Sequence, residues 1–255
     1  MINVYKIGGN VIDNAEALDA FLKDFAQLPS PKVRIHGGGK LATRLSGRLG
    51  IETHMVDGRR ITDRETLDVV TMVYGGLVNK QIVAKLQALG CNAIGLTGAD
   101  ANVIPATRRK PNPIDYGYVG DIDTARINVS FIQTLLEAGI TPVFCALCHE
   151  DGSMLNCNAD TIAQSVATAM ATVGETRLTF CFEQLGVMGN LDDPSSLIPT
   201  ITPELYAALK ADGTINSGMI PKIDNAYRAI ENGVQCVTIK HSKNIGNEVG
   251  TTICN

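Results

Sequence analysis

No stretch of this 255-residue chain comes near the ~20 consecutive apolar residues that a membrane-spanning helix requires. Its start, Met1-Ile2-Asn3-Val4-Tyr5-Lys6, lacks the charged and apolar regions of a signal peptide. Neither sign of charge is gathered into a block: 22 Lys plus Arg stand against 26 Asp plus Glu, a formal charge of −4. A nucleic-acid partner is therefore not expected. A disulfide framework is missing too, because the seven cysteines are odd in number and scattered through apolar segments. Cys145-Ala146-Leu147-Cys148-His149 matches the attachment pattern of a c-type haem, and Cys157 lies close by. Haem attachment needs export, however, and a structural zinc needs a second ligand pair, so these thiols are expected in the core at a strand end. The chain reads as cytoplasmic, with no metal site of its own and no membrane partner. It shows no internal repeat, low-complexity tract or long Gly/Ser linker.

What is present is an alternation of short β-branched runs with longer segments of helical period, the pattern of a mostly parallel sheet covered on both faces. The fold class is α/β: an open, mostly parallel sheet sandwiched between helices, in three αβα layers. Ile2 to Ile7 and Lys32 to His36 read as the first two strands. Between them Leu18, Phe21, Leu22 and Phe25 recur on one helix face after a polar Asp13-Asn14 start. Gly90, Gly139 and Gly233 read as left-handed helix terminators leading into strands at 93–96, 140–145 and 234–239. Pro111, Pro113, Tyr116, Gly117 and Gly120 break the alternation and suggest an antiparallel flap, either a lid or a plain surface excursion. A lobe boundary is expected near Gly174, dividing residues 1–173 from 174–255 along one continuous sheet.

Ligands of open α/β sheets bind at the carboxyl ends of strands. Two glycine runs fall there: Lys6-Ile7-Gly8-Gly9-Asn10 and His36-Gly37-Gly38-Gly39-Lys40, the second entering a helix. Without side chains, glycines let backbone N–H groups approach an anion, and a helix start adds a favourable dipole. Singly each run is a tight turn; together they favour an anion site. Arg34 stands where a P-loop needs its first glycine and Leu41 where it needs Ser or Thr, and no dinucleotide fingerprint is present either. Asn156-Cys157-Asn158-Ala159-Asp160 places two amides and a carboxylate at a helix start, which is more than one cap uses. Gly218-Met219-Ile220-Pro221-Lys222 opens another helix, and Asp57-Gly58-Arg59-Arg60-Ile61-Thr62 carries a second basic candidate. Taken alone, Lys222 or Arg60 would be a solvated surface residue.

In this order the five segments resemble the amino acid kinase family, most closely its N-acetylglutamate kinase branch, over nearly the whole chain. The resemblance implies transfer of the γ-phosphoryl group of ATP, carried with Mg2+, to the side-chain carboxylate of an N-acylglutamate in arginine synthesis. By position it makes Lys6, Lys222 and Asp160 catalytic, with Asp160 holding the two lysines. Gly38, Gly39, Arg60, Asn156 and Asn158 would bind substrate, Arg60 through the α-carboxylate. Gly8 and Gly9 would bind phosphate. It further implies a substrate lobe at 1–173, with part of the phosphate site, a nucleotide lobe at 174–255, and a homodimer without arginine feedback.

Two stretches depart from the family pattern. Phe180-Cys181-Phe182-Glu183 lacks the usual Ser/Thr-Asp pair, which leaves Glu183 to take the aspartate's part with the nucleotide. Ala146-Leu147-Cys148-His149-Glu150 lacks the usual proline and glycine, which makes N-succinylglutamate an alternative to the default N-acetylglutamate. The competing functions are another kinase of the family, acting on carbamate, glutamate or a nucleoside monophosphate, and a non-catalytic ligand-sensing module.

Overall fold

β-Branched runs separated by helices join in parallel, and a parallel sheet must be covered on both faces. The computed structural model describes residues 1–56, 58–215 and 219–254, so Asp57 and Gly218 of the motifs above lie outside the described residues. Its central sheet holds β1 (Ile2–Ile7), β2 (Lys32–His36), β3 (Ala93–Leu96), β4 (Thr141–Cys145), β5 (Thr176–Phe182), β6 (Thr200–Ile201), β7 (Cys236–His241) and β8 (Thr251–Ile253). Their order across the sheet is β6-β8-β7-β5-β1-β2-β4-β3. All neighbours pair in parallel except β7 with β8. The sheet runs unbroken across residue 174, since β5 pairs with β1 on one side and β7 on the other.

The helices are α1 (Gly9–Asp13), α2 (Ala15–Gln27), α3 (Gly39–Arg48), α4 (Arg64–Val70), α5 (Asn79–Ala88), α6 (Val129–Glu137), α7 (Ala159–Ala171), α8 (Pro203–Ala211) and α9 (Ile220–Glu231). A π-turn, Thr71–Val78, joins α4 directly to α5. Alternation along the strands divides the core into two layers. Val33 and Ile35 pack with Ile162 and Val166 of α7 and Ile223 of α9. Tyr5 and Ile7 pack on the other face with Leu18, Phe21, Leu22 and Phe25 of α2. Asn14 starts α2 as expected, its side chain accepting from the Ala17 N–H at 3.0 Å. Lys32 Nζ closes the other end by donating to the carbonyls of Phe25, Ala26 and Leu28. No helix of the described residues is long and apolar enough to cross a membrane.

Gly90, Gly139 and Gly233 have φ of 75°, 71° and 96°, the left-handed conformation that ends a helix. The strand after Gly233 begins at Cys236 rather than at 234, because the Val234 N–H is still bonded to the Ala229 carbonyl. The flap is antiparallel: Ala106–Arg108 pairs with Gly120–Ile122. Thr62 stitches its tip down, with the Tyr118 N–H donating to the Thr62 carbonyl at 2.7 Å. A second hairpin, Leu147–Glu150 with Ser153–Asn156, leaves β4 and delivers the chain to α7.

Candidate active site

The carboxyl end of β1 and the starts of α1, α3 and α7 surround a cleft of about 230 Å³. Free N–H groups and the positive dipole end of each helix make such a convergence attractive to anions. Gly8 bonds through its N–H to the Cys181 carbonyl at 2.7 Å, and a Cβ there would press to 3.3 Å on Cys181 and Phe182. Gly9 faces open space. Gly38 lies so close over Tyr74 that a Cβ would stand 3.0 Å from Cδ1 of the ring. Cleft-lining residues include Lys6, Gly9, Gly38, Gly39, Arg60, Asn156, Asn158 and Asp160.

Lys6 and Lys222 meet on one carboxylate. Lys6 Nζ is 2.6 Å from Asp160 Oδ1 and Lys222 Nζ is 3.6 Å from Oδ2. Burial acts to raise the Asp160 pKa, but the ammonium groups, Lys6 ahead of Lys222, outweigh it and hold the carboxyl below its usual range. Asp160 is thus ionised, and it fixes two flexible cations at one place. Lys222 also lies 5.8 Å from the Phe182 ring centre.

Arg60 is buried and anchored before any ligand arrives. Its Nη2 donates to the Gly39 carbonyl at 2.9 Å and Thr43 Oγ1 at 2.8 Å, and Nη1 to Thr53 Oγ1 at 3.2 Å. Nε is buried with no partner. Asn156 is similar: Nδ2 donates to Thr62 Oγ1 at 3.0 Å, while Oδ1 is buried and unpartnered. Buried polar atoms are ordinarily hydrogen-bonded, so one unpartnered donor and one unpartnered acceptor on two residues that line the same cleft point to a ligand. Asn158 caps α7, its Oδ1 accepting from the Asp160 N–H at 2.7 Å and from Thr161 N–H at 3.4 Å. The capping reading therefore holds for its oxygen, and the residue also lines the cleft.

Glu183 stands apart. It is exposed just beyond β5, close to His241, and does not line the cleft. Of the altered 146–150 stretch, Ala146 lines the cleft, whereas Cys148 is buried in the core. Cys145 and Cys157 are buried free thiols as well. Tyr74 lines the cleft from outside every motif singled out in the sequence, whereas Gly37 and Arg59, which also line it, stood inside motifs without an individual role. The adjacent Gly75-Gly76 inside an otherwise helical run was the one signal of a special conformation near Tyr74.

A parallel sheet with helix starts and two cations at its carboxyl edge defines a protein that handles anionic ligands by charge and N–H donors. The chain belongs to the amino acid kinase family, whose model matches residues 1–241. It is 53% identical over 244 residues to the acetylglutamate kinase of Cytophaga hutchinsonii, covering 95% of this chain and 92% of that one. The acetylglutamate kinase of Phocaeicola vulgatus is 49% identical, with 99% and 98% covered. A solved Streptococcus mutans protein superposes with a TM-score of 0.80 at 28% identity, covering 99% of this chain and 98% of that one.

Proposed function

We propose that the protein transfers the γ-phosphoryl group of ATP to the side-chain carboxylate of an N-acylglutamate, N-acetylglutamate by default, as a step of arginine synthesis. The observation that carries this reading is the convergence of Lys6 and Lys222 on Asp160 beside the glycine N–H groups. Both reactants are anions, and two like unit charges at about 4 Å repel by roughly 4 kcal/mol at an effective dielectric near 20. Paired ammonium groups offset that repulsion where the charge of the transfer gathers, and phosphoryl transfer asks little else of a protein. An ionised carboxylate needs no general base to attack phosphorus.

The two unpartnered atoms support an N-acylated amino acid. Arg60 Nε is left to donate to an α-carboxylate, and Asn156 Oδ1 to accept from the neighbouring acylamide N–H. A free amino acid would instead bring an ammonium group to Asn156. Asp160, the only carboxylate lining the cleft among the described residues, is committed to the two lysines. A Mg2+ carried in with ATP would supply neutralising charge to the phosphates, and Asp160 would keep its place between the two lysines. Residues 1–173 hold the N-acylglutamate and 174–255 the nucleotide, with Glu183 on the latter side. Met72 and Leu77, exposed on the π-turn, offer apolar surface for a homodimer.

Arg59, a second cation lining the cleft, favours an N-succinyl substrate as the other reading, because that acyl group adds a carboxylate. Trapping the product with hydroxylamine, with N-acetylglutamate and N-succinylglutamate side by side, tests both. A hydroxamate from either establishes the acyl phosphate, and the faster substrate identifies the acyl group. ATP turnover with neither ends the proposal.

A further inference from the structure

Tyr74 and Asn79 are five residues apart, which on an α-helix of about 3.6 residues per turn would set them on different faces. The π-turn changes this. The Asn79 N–H reaches the Tyr74 carbonyl, an i to i+5 bond that brings the two residues one above the other. Both then meet the glycine run. The Tyr74 ring packs against Gly38 from one side. On the other side Asn79 Nδ2 lies 3.0 Å from His36 Nε2 and donates to the Val143 carbonyl at 2.9 Å.

A carbonyl only accepts, so Val143 identifies the nitrogen of the Asn79 amide, and His36 Nε2 must be the acceptor of its second hydrogen. The proton of the imidazole is therefore on Nδ1, which donates to the Gly37 carbonyl at 2.8 Å. His36 is completely buried, and burial pushes its pKa down to about 3, with nearby Arg34 acting in the same direction against the Gly37 hydrogen bond. Gly95 completes the arrangement: a side chain there would collide with Asn79 Oδ1.

We propose that Asn79 is a positioning residue of the cleft, holding His36 in its neutral, Nδ1-protonated form so that the imidazole fixes the Gly37 carbonyl and, with Tyr74, the N–H groups that open α3. The inference rests on the cleft being the phosphotransfer site. Asn79 touches no reactant; it acts through His36 and the glycine backbone, and the π-turn is the device that makes one helix support that backbone at two points.

Nitrogen-15 spectra of histidine in the wild-type protein test the tautomer without any substitution. His36 is expected neutral and Nδ1-protonated between about pH 5 and 8; an Nε2-protonated ring, or titration inside that window, overturns the proposal. Asn79→Leu fills similar volume without donors, so turnover is expected to fall about tenfold or more as the N–H groups lose their aim. Wild-type turnover in Asn79→Leu overturns it. His36→Asn can still donate to the Gly37 carbonyl, whereas His36→Gln can only answer Asn79, so His36→Asn is expected to keep the greater turnover, and the reverse order overturns the proposal. Failure of the wild-type chain to phosphorylate any N-acylglutamate removes the functional reading instead, and the tautomer spectrum still decides the role of Asn79.

Discussion

Lys6 and Lys222 meet the same carboxylate from unequal surroundings. Lys6 is 2.6 Å from Asp160 with 14% of its side chain exposed, and Lys222 is 3.6 Å away with 39% exposed. Among the described residues, those lining the cleft all lie within 1–173. There Arg60 and Asn156 are locked by protein partners before ligand arrives, while Glu183 on the other side is exposed. The difference teaches that one wall of the site is preorganised and the other offers chiefly a single cation. Preorganised donors cost little reorganisation when charge develops, so the two walls should respond differently to substitution.

Lys222→Ala should give the largest effect in that contrast. Turnover is expected to drop by about 10²–10³, the range for losing one donor aimed at transition-state charge, with little change in the KM for N-acylglutamate. Steady-state kinetics would check this, and a raised KM with unchanged turnover would place Lys222 on the binding side instead. Arg60→Ala should show the opposite split. Removing a charge-assisted bond worth about 1.5–3 kcal/mol raises the KM for N-acylglutamate roughly 10- to 100-fold, and the KM for ATP should stay put.

Asp160→Asn bears on the seam between the walls. Because the folded-state pKa of Asp160 lies below its unfolded value, its contribution to stability is complete above the unfolded value of about 4 and is lost as pH falls through the lowered one. Thermal melts of the wild type should therefore fall more steeply below about pH 4 than those of Asp160→Asn. Parallel curves would mean that the two ion pairs add no stability. Glu183→Ala should give the smallest effect, a change of less than about threefold in the KM for ATP, as expected of an exposed charge.

Much of the fold was legible because local chemistry and global arrangement agree. The limits of β1 and β2 follow from β-branched runs that end in glycines, and α2 from its Asn14 cap and apolar face. The short α1 was not, since its five residues overlap a glycine run that reads equally well as a turn. Nor was the π-turn, because Thr71–Val78 is apolar nearly all round and carries no clear period. Tyr74 for that reason carries no mark of a cleft position in the sequence. Lys6, Asp160 and Lys222 stood out through ordered motifs, although their meeting point depends on β1, α7 and α9 sharing one end of the sheet. The free valences of Arg60 and Asn156 could not be read from sequence at all, because they are what remains after Gly39, Thr43, Thr53 and Thr62 have taken their share of bonds.

A double-substitution cycle on single-turnover rates, comparing Lys6→Ala, Lys222→Ala and both together, tests most directly whether the two ammonium groups act on one phosphoryl group. Groups that work as a unit are strongly non-additive, so the double variant should be scarcely slower than the slower single one. Effects that multiply in full would mean that the lysines serve separate steps, and would contradict the shared site built around Asp160.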